Sequence, residues 1–339
     1  MKNNDKIVLI LILTILISLS TGCTKYLTDS NKKRITNETT GQAITSNILC
    51  LPESEELLRI YEENKDHLAV DYDSLKSCPK YGPSDVKYAG LWETIFVKPL
   101  AWVIIKVGLF VQNYGLAVMI LGIAIRLILM PFTTKSLRQS QNMRKVQPEI
   151  QRIQKKYGDT TGNQAQAMAM SQEMMMVYKK YGVNPASGCL ITFIQLPILL
   201  AFLEAINRVP AIFEGSFLSL QLGTSPFVGI SNGNYLYIVL ILLIITSTYF
   251  SYKNSMSAST GNAEQDKQMG MMMKFMIAFI SIASLSLPTA LALYWIVSNG
   301  FMIIQNLIIK KGLSNENNNK RVDKGIKEAK FKETKKKGK

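Results

Sequence analysis

The stretch YGLAVMILGIAIRLILMPF, Tyr114–Phe132, decides the fold. It is long and apolar enough to cross a bilayer as one helix, which needs about 20 apolar residues. It carries one full charge, Arg126, and no acidic residue lies within a helical turn of that charge. A charge at this depth costs about 2.5–3.5 kcal/mol on insertion scales and usually faces a bundle interior or a wet cavity. Two interpretations follow: Arg126 lines a substrate or ion path, or its side chain extends to the headgroups.

The composition around this stretch is that of an integral membrane protein. Of the 339 residues 47% are hydrophobic and cluster into long runs, and the net charge of +15 is unevenly distributed. The one histidine, His67, lies in a polar stretch, which excludes histidine metal sites and Ser-His-Asp catalysis in the membrane region. The cysteines show no CxxC spacing, so a zinc ribbon or redox motif is unsupported. They are Cys23, Cys50, Cys78 and Cys189.

Residues 1–22 have the parts of a secretory signal: a basic start, an apolar run and a small-residue exit. Cys23 follows directly, as in bacterial lipoprotein signals, in which this cysteine receives a lipid and becomes the new N-terminus. Ser20 departs from that pattern, which usually has a branched apolar residue three places before the cysteine. We expect a lipid-anchored Cys23, and the alternative is an uncleaved signal anchor.

Two segments precede the first span. Residues 23–90 are polar and are predicted to lie outside the cytoplasm, with a short amphipathic helix within Leu51–Leu68. Cys50 and Cys78 flank this helix, and outside the cell they are expected to form a disulfide, with two buried free thiols as the alternative. Residues 91–112 are apolar but interrupted by charges and a proline, which indicates a helix lying on the outer surface.

The segment 134–185 predicts a helical hairpin. It carries nine Lys and Arg against three Asp and Glu. Helical patterns cover Val146–Tyr157 and Gln164–Tyr181, and Gly158–Gly162 is the turn between them. The second helix is rich in methionine, which favours either an adaptable contact with client proteins or packing within the hairpin. These methionines are Met168, Met170, Met174, Met175 and Met176.

Residues 113–309 contain five predicted spans, so the fold class is an all-α membrane protein. The spans are Tyr114–Phe132, Ala186–Ile206, Tyr235–Tyr252, Gly270–Leu287 and Ala290–Ile309. Gln195 lies near the centre of the second span, and Ser251 lies near the inner end of the third. On the fifth span Trp295, Asn299 and Asn306 recur at spacings of four and seven, which places them on one face.

The loop charges predict the orientation. Residues 24–90 have nine basic and eleven acidic residues, whereas the hairpin is strongly basic and the tail, 310–339, has twelve basic and four acidic residues. By the positive-inside rule the hairpin and tail are cytoplasmic. Five spans after an exported N-terminus lead to the same side for the C-terminus.

These features point to binding rather than chemistry. The sequence contains no phosphate-cradling loop, metal cluster or nucleophile constellation, so we expect neither an enzyme nor a cofactor. A buried cation with polar groups on other spans could draw acidic segments of a client polypeptide into the inner bilayer. Transfer of the client's apolar segment into lipid would supply the free energy, about 0.8 kcal/mol per buried CH₂. The alternatives are a small-anion transporter, with Arg126 as the substrate site, and a structural lipoprotein scaffold.

Three ordered motifs carry a resemblance to a known family. They are Ile125-Arg126-Leu127 with Pro131, then KKYGVNPASGCLITFIQLPI at Lys179–Ile198, and LPTALALYWIVSNGFMIIQN at Leu287–Asn306. Residues 90 to 310 resemble the YidC/Oxa/Alb membrane protein insertases, of the Gram-positive type with a lipoprotein signal. The resemblance implies five helices around a hydrophilic groove that is open to the cytoplasm and lipid but closed to the outside.

The resemblance also implies site residues and partners. The groove arginine of the family falls on Arg126, and Gln195 and Trp295 fall on groove-lining positions, with Asn299 on the same face as Trp295. Where some relatives have a glutamine, this chain has Ser251 or its neighbours. The implied partners are nascent membrane proteins, which the protein would insert alone or with the Sec translocon, and, for the basic tail, either the ribosome or anionic lipids. The implied location is the bacterial plasma membrane, with a lipid-anchored N-terminus outside and the C-terminus in the cytoplasm.

Overall fold

The computed structural model describes residues 24–158, 163–184, 187–256 and 263–312, which are mostly helical. They form two compact units. The first contains 24–128, Thr192–Tyr249 and Met272–Asn299, and the second contains the remaining described residues. The predicted signal, Cys23, most of the turn at Gly158–Gly162 and the tail beyond Gly312 lie outside the described residues.

The helices are named here in chain order. They are α1 (Glu55–Glu63), α2 (Lys98–Val111), α3 (Tyr114–Tyr157), α4 (Gln164–Lys180), α5 (Ser187–Arg208), α6 (Pro210–Phe213), α7 (Pro226–Ser231), α8 (Leu236–Met256), α9 (Ala263–Ser286) and α10 (Thr289–Gly312). A π-helical turn, Glu93–Val97, leads directly into α2. Strands β1 (Ser216–Phe217) and β2 (Leu220–Gln221) form a two-stranded antiparallel sheet, with Phe217 opposite Leu220.

Four helical stretches are long and apolar enough to cross a membrane, among the residues that the structure describes. They are Glu93–Val111, Tyr114–Gln139, Leu236–Lys253 and Thr289–Gly312. Three of them coincide with the predicted first, third and fifth spans. Helices α5 and α9 lie at the predicted second and fourth spans. The protein is therefore a multi-pass helical membrane protein, and the count of five spans stays a prediction.

Glu93–Val111 also has the length and mean hydropathy, 1.9, of a span, although its charges led us to expect a surface helix. Two of these charges are paired inside the protein. The Glu93 carboxylate lies 3.7 Å from Lys98 Nζ and 3.0 Å from Arg208 Nη2, and all three side chains are buried. Paired charges interrupt an apolar helix less than isolated ones, because each satisfies the other. The surface location of this helix stays a prediction.

The N-terminal segment, 24–90, folds around its own apolar cluster. Helix α1 begins at the N-cap Ser54, whose Oγ accepts from the Leu57 amide. Leu57 and Tyr61, four residues apart, face the cluster, as amphipathic spacing requires. A disulfide joins Cys50 to Cys78, and both are fully buried. The short helix expected within Leu51–Leu68 is thus present, at Glu55–Glu63.

This segment is fastened to the helices of the first unit by hydrogen bonds. The Arg208 side chain donates from Nε to the Asn47 carbonyl (2.7 Å), and its own carbonyl accepts from the Leu49 amide (2.8 Å). The Glu214 carboxylate accepts from the Ser54 amide at 2.8 Å. Phe213 completes the apolar cluster of the segment. The segment is therefore part of the first unit rather than a loose extension.

In the second unit, the C-terminal part of α3 runs antiparallel to α4. Lys156 Nζ lies 2.8 Å from Glu173, whereas Lys180 Nζ lies 3.4 Å from Glu149, so rising numbers on one helix match falling numbers on the other. Val146, Ile150 and Val183 form the buried cluster between them. Met174 packs against this cluster, whereas Met168, Met175 and Met176 are exposed. The cytoplasmic location of this hairpin stays a prediction.

One boundary differs from the sequence analysis. We expected the first span to end near Pro131 and a new helix to begin at Val146, but α3 is one helix of 44 residues through both Pro131 and Pro148. A proline removes the backbone donor to the carbonyl four residues earlier, which for Pro131 is that of Leu127. Membrane helices tolerate proline because the surrounding protein and local adjustments of the helix satisfy the freed group.

Candidate functional site

Arg126 lies near the middle of the apolar part of α3 and is buried, with 6% of its surface exposed. Its Nε donates to Ser298 Oγ on α10 at 2.7 Å. Helices α3 and α10 approach closely at Gly122, where an added Cβ would lie 3.0 Å from the Tyr294 ring. The small residue lets the two backbones come together, as small residues do in membrane helix pairs. This approach brings Ser298 within reach of the guanidinium.

The guanidinium has no acidic neighbour in the part of the chain that the structure describes. Among the described residues, no carboxylate oxygen lies within 4.0 Å of Arg126, and Ser298 is its only hydrogen-bond partner. Arginine has five N–H donors, so the four on Nη1 and Nη2 are left for other acceptors. The described residues around the site therefore leave its positive charge without a counter-charge. A buried, unneutralised cation can bind an acidic group or hold water.

Tyr294, one helical turn before Ser298 on α10, forms a second polar contact. Gln195 Nε2 on α5 donates to the Tyr294 hydroxyl at 2.9 Å. Phe202, also on α5, stacks on the Tyr294 ring with 4.1 Å between centroids. The mid-helix amide of Gln195 thus has the interhelical partner that a polar group inside a membrane needs. Tyr294 joins α5 to the helix that carries Ser298.

Asn299 connects the next helix. Its Nδ2 donates to Thr248 Oγ1 on α8 at 3.0 Å and to Ser247 Oγ at 3.5 Å. Asn299 and Thr248 are both buried. Helix α10 therefore makes polar contacts with α3, α5 and α8 within the first unit.

Arg126 and Gln195 each hydrogen-bond to a residue of α10, whereas Asn299, on α10 itself, hydrogen-bonds to α8. Trp295 is half-buried and makes no polar contact with a described residue, and its position in a groove stays a prediction. Ser251 is buried in the second unit, and its role likewise stays a prediction. The sequence analysis missed Tyr294 and Ser298. Their four-residue spacing was the available signal, one position before that of Trp295 and Asn299.

The second unit has a polar cluster of its own. Gln305 Nε2 on α10 donates to Thr133 Oγ1 and to Thr134 Oγ1, each at 2.9 Å. Gln305 and Thr133 are buried. These neutral groups satisfy each other, so this cluster can position helices, but it offers no charge to a substrate.

The sequence of this chain is similar to those of known membrane proteins. Residues 106–317 match the model of the family described as 60Kd inner membrane protein. The membrane protein insertase YidC of Oceanobacillus iheyensis is 39% identical over 227 residues, which cover 66% of this chain and 84% of that protein. The membrane protein insertase MisCA of Bacillus subtilis is 38% identical over 220 residues, covering 65% of this chain and 79% of that protein.

A solved structure is also similar. It is described as an active YidC insertase crystal structure with the first transmembrane domain resolved. The identity is 28% and the TM-score is 0.47, and the alignment covers 64% of this chain and 46% of that one. The residues matched by the family model, 106–317, contain Arg126, Gln195, Ser298 and Asn299 and begin after the N-terminal segment.

Proposed function

The chain belongs to the 60Kd inner membrane protein family and is a membrane protein insertase, and we propose that it inserts its clients through a groove built around Arg126. The observation that carries this proposal is the Arg126 guanidinium, which is buried and held at Nε by a neutral hydroxyl with no described carboxylate beside it. Such a cation is available to an incoming acidic residue. Gln195 and Asn299 would line the same groove, with Trp295 and Ser251 as further groove positions.

The charge sets the scale of the attraction. Two opposite unit charges 4 Å apart interact by about 4 kcal/mol at an effective dielectric constant of 20. That energy offsets part of the cost of bringing an acidic side chain into the inner bilayer. The bond is also weak enough to be released when the apolar part of the client enters lipid, which contributes about 0.8 kcal/mol per CH₂. No nucleotide is needed for this cycle.

The proposed orientation places the basic hairpin and tail in the cytoplasm. It is supported by the net positive charge of 134–185 and of 310–339, in contrast to the net negative charge of residues 24–90. In this orientation the clients, newly made membrane proteins, reach the groove from the side on which they are synthesised. We also propose that Cys23 carries the lipid anchor, which mass spectrometry of the mature N-terminus tests, since an intact Met1 would contradict it.

The basic tail is proposed to hold the ribosome near the groove through its phosphates, with anionic lipids as the competing partner. Co-sedimentation with ribosomes over a salt series, with and without residues 310–339, separates the two. Ribosome binding predicts a loss in the truncated protein, and equal binding would contradict it. Cooperation with the Sec translocon is proposed as a second route for the same groove.

Site-specific photocrosslinking tests the groove itself. A photoreactive residue at Gln195 or Trp295 should react with a stalled, single-span nascent client. The matched control is Leu242 on α8, an apolar residue that is 55% exposed and lies outside the polar contacts described. Strong crosslinks at the first two positions and weak ones at Leu242 support the groove. Equal crosslinking at all three positions would contradict it.

A further inference from the structure

An open cavity of about 430 Å³ lies where the N-terminal segment meets the start of the apolar helices. Three basic residues line it: Lys25, Lys87 and Arg208. Two acidic residues, Asp71 and Glu93, line it as well. All of these belong to the first unit, and the groove around Arg126 contains none of them. The insertase function as proposed makes no use of this cavity.

The residues that line the cavity carry a net charge of +1, with three basic side chains against two acidic ones. The Glu93 carboxylate pairs with Arg208 at 3.0 Å and with Lys98 at 3.7 Å, and a second buried carboxylate, Glu204, lies within electrostatic range of Arg208. Arg208 is 1% exposed, and its Nη1 has no hydrogen-bond partner among the described residues. Asp71 is exposed and makes no ion pair with a described residue. The net positive lining and the unused Arg208 donor favour an anion.

The rim of the cavity has the character of a membrane interface. Tyr88, which lines it, is 69% exposed, and Leu91, three residues on, is 66% exposed. Exposed aromatic and apolar residues at the start of an apolar helix are typical of the headgroup level. Lys25 and Lys87 are exposed, so their ammonium groups can reach a ligand that enters there.

We propose that this cavity binds a phosphate ester, and that its source is the headgroup of an anionic phospholipid in the leaflet facing the N-terminal segment. Lys25 and Lys87, at the mouth of the cavity, would contact the phosphate oxygens. Arg208, in the inner wall, would add a positive charge that attracts the phosphate. The cavity volume accommodates a phosphoglycerol group, and the exposed Tyr88 and Leu91 would contact the attached acyl chains. The bound lipid would fasten the N-terminal segment to the membrane surface at a second point besides a lipidated Cys23.

The test uses purified full-length protein in detergent, titrated with phosphatidylglycerol and analysed by native mass spectrometry, with phosphatidylcholine as the background lipid. The Lys25→Gln/Lys87→Gln variant should retain phosphatidylglycerol about tenfold less strongly than the wild type. The control Lys33→Gln/Lys80→Gln removes the same charge from exposed positions of the same segment that do not line the cavity, and it should bind like the wild type.

Soluble glycerol 3-phosphate distinguishes the two sources. Failure of millimolar glycerol 3-phosphate to displace the lipid supports the membrane source, because the acyl chains contribute to binding. Displacement at equal affinity would assign the site to a free phosphate ester and overturn the lipid source. Equal retention of phosphatidylglycerol by wild type, variant and control would overturn the site.

Discussion

Replacing Ser298 by alanine removes the hydroxyl that holds Arg126. The structure shows one hydrogen bond to the guanidinium from a described residue, at 2.7 Å, and a hydrogen bond to a charged group is worth about 1.5–3 kcal/mol. Interhelical hydrogen bonds inside membranes average about 0.6 kcal/mol, with a maximum near 1.7 kcal/mol. We therefore expect Ser298→Ala to lower the free energy of unfolding by about 1–2 kcal/mol, measured by thermal unfolding in detergent micelles.

The same substitution should also change which clients are inserted. If Ser298 served only the stability of the fold, its loss would affect all clients equally. A guanidinium that is no longer fixed should attract acidic clients less, whereas neutral clients should insert as before. One kilocalorie per mole corresponds to about a fivefold change in an equilibrium, so insertion of a client with an acidic segment into proteoliposomes should fall several-fold. Ser298→Thr keeps the hydroxyl and should restore it.

Ser284→Ala is the matched control for this experiment. Ser284 is a buried serine on α9 of the first unit, and its hydroxyl donates to the Ser281 carbonyl rather than to Arg126. The control should leave the preference for acidic clients unchanged. An equal loss for acidic and neutral clients in Ser298→Ala would refute the positioning role of Ser298.

Three further predictions concern other parts of the fold. Replacing Cys50 and Cys78 by serine should destabilise the N-terminal segment by about 3–4 kcal/mol, given their separation of 28 residues, and limited proteolysis should show earlier cleavage there. Arg208→Met leaves its buried carboxylate partner with one weaker ion pair and should cost about 3 kcal/mol in thermal unfolding, whereas unchanged stability would contradict the pairing. The hydrogen bond from Tyr181 lowers the pKa of Glu149, so the hairpin should be more stable above the ordinary glutamate pKa and lose this stability as pH falls through the lowered value. Circular dichroism from pH 7 to 3 should show the loss, and Glu149→Gln should reduce the pH dependence to the part that Glu173 contributes.

The main elements of the fold could be predicted from the sequence because apolar runs near 20 residues long are a strong local signal. Arg126 was identifiable for the same reason, as one charge inside such a run. Its partner was not. Serine is common in membrane helices, and a four-residue spacing defines a face without saying which neighbouring helix that face meets. The sequence analysis therefore placed the polar face of α10 on Trp295 and Asn299, whereas Tyr294 and Ser298 contact Gln195 and Arg126.

The pairing of the charges at the start of the apolar helices also could not be predicted from the sequence. Glu93 and Lys98 appeared to interrupt a span, but Glu93 pairs with Arg208, which is 115 residues away in sequence. Long-range pairs of this kind depend on the tertiary fold and leave no local pattern. The continuity of α3 through Pro131 was missed because proline is a strong local signal for a helix end, whereas membrane helices tolerate it when the surrounding protein satisfies the freed backbone group.

Insertion measured on Arg126 variants tests the central claim most directly. The assay would compare one single-span client in two forms, with an acidic outer segment and with the same residues changed to their amides, in proteoliposomes that contain wild type, Arg126→Ala or Arg126→Lys. Arg126→Ala should insert the acidic client several-fold more slowly than the wild type does. Arg126→Lys should slow this insertion less, because it keeps the positive charge, and the amide client should be inserted by all three proteins at nearly the same rate. Insertion of the acidic client by Arg126→Ala at the wild-type rate would contradict the central claim.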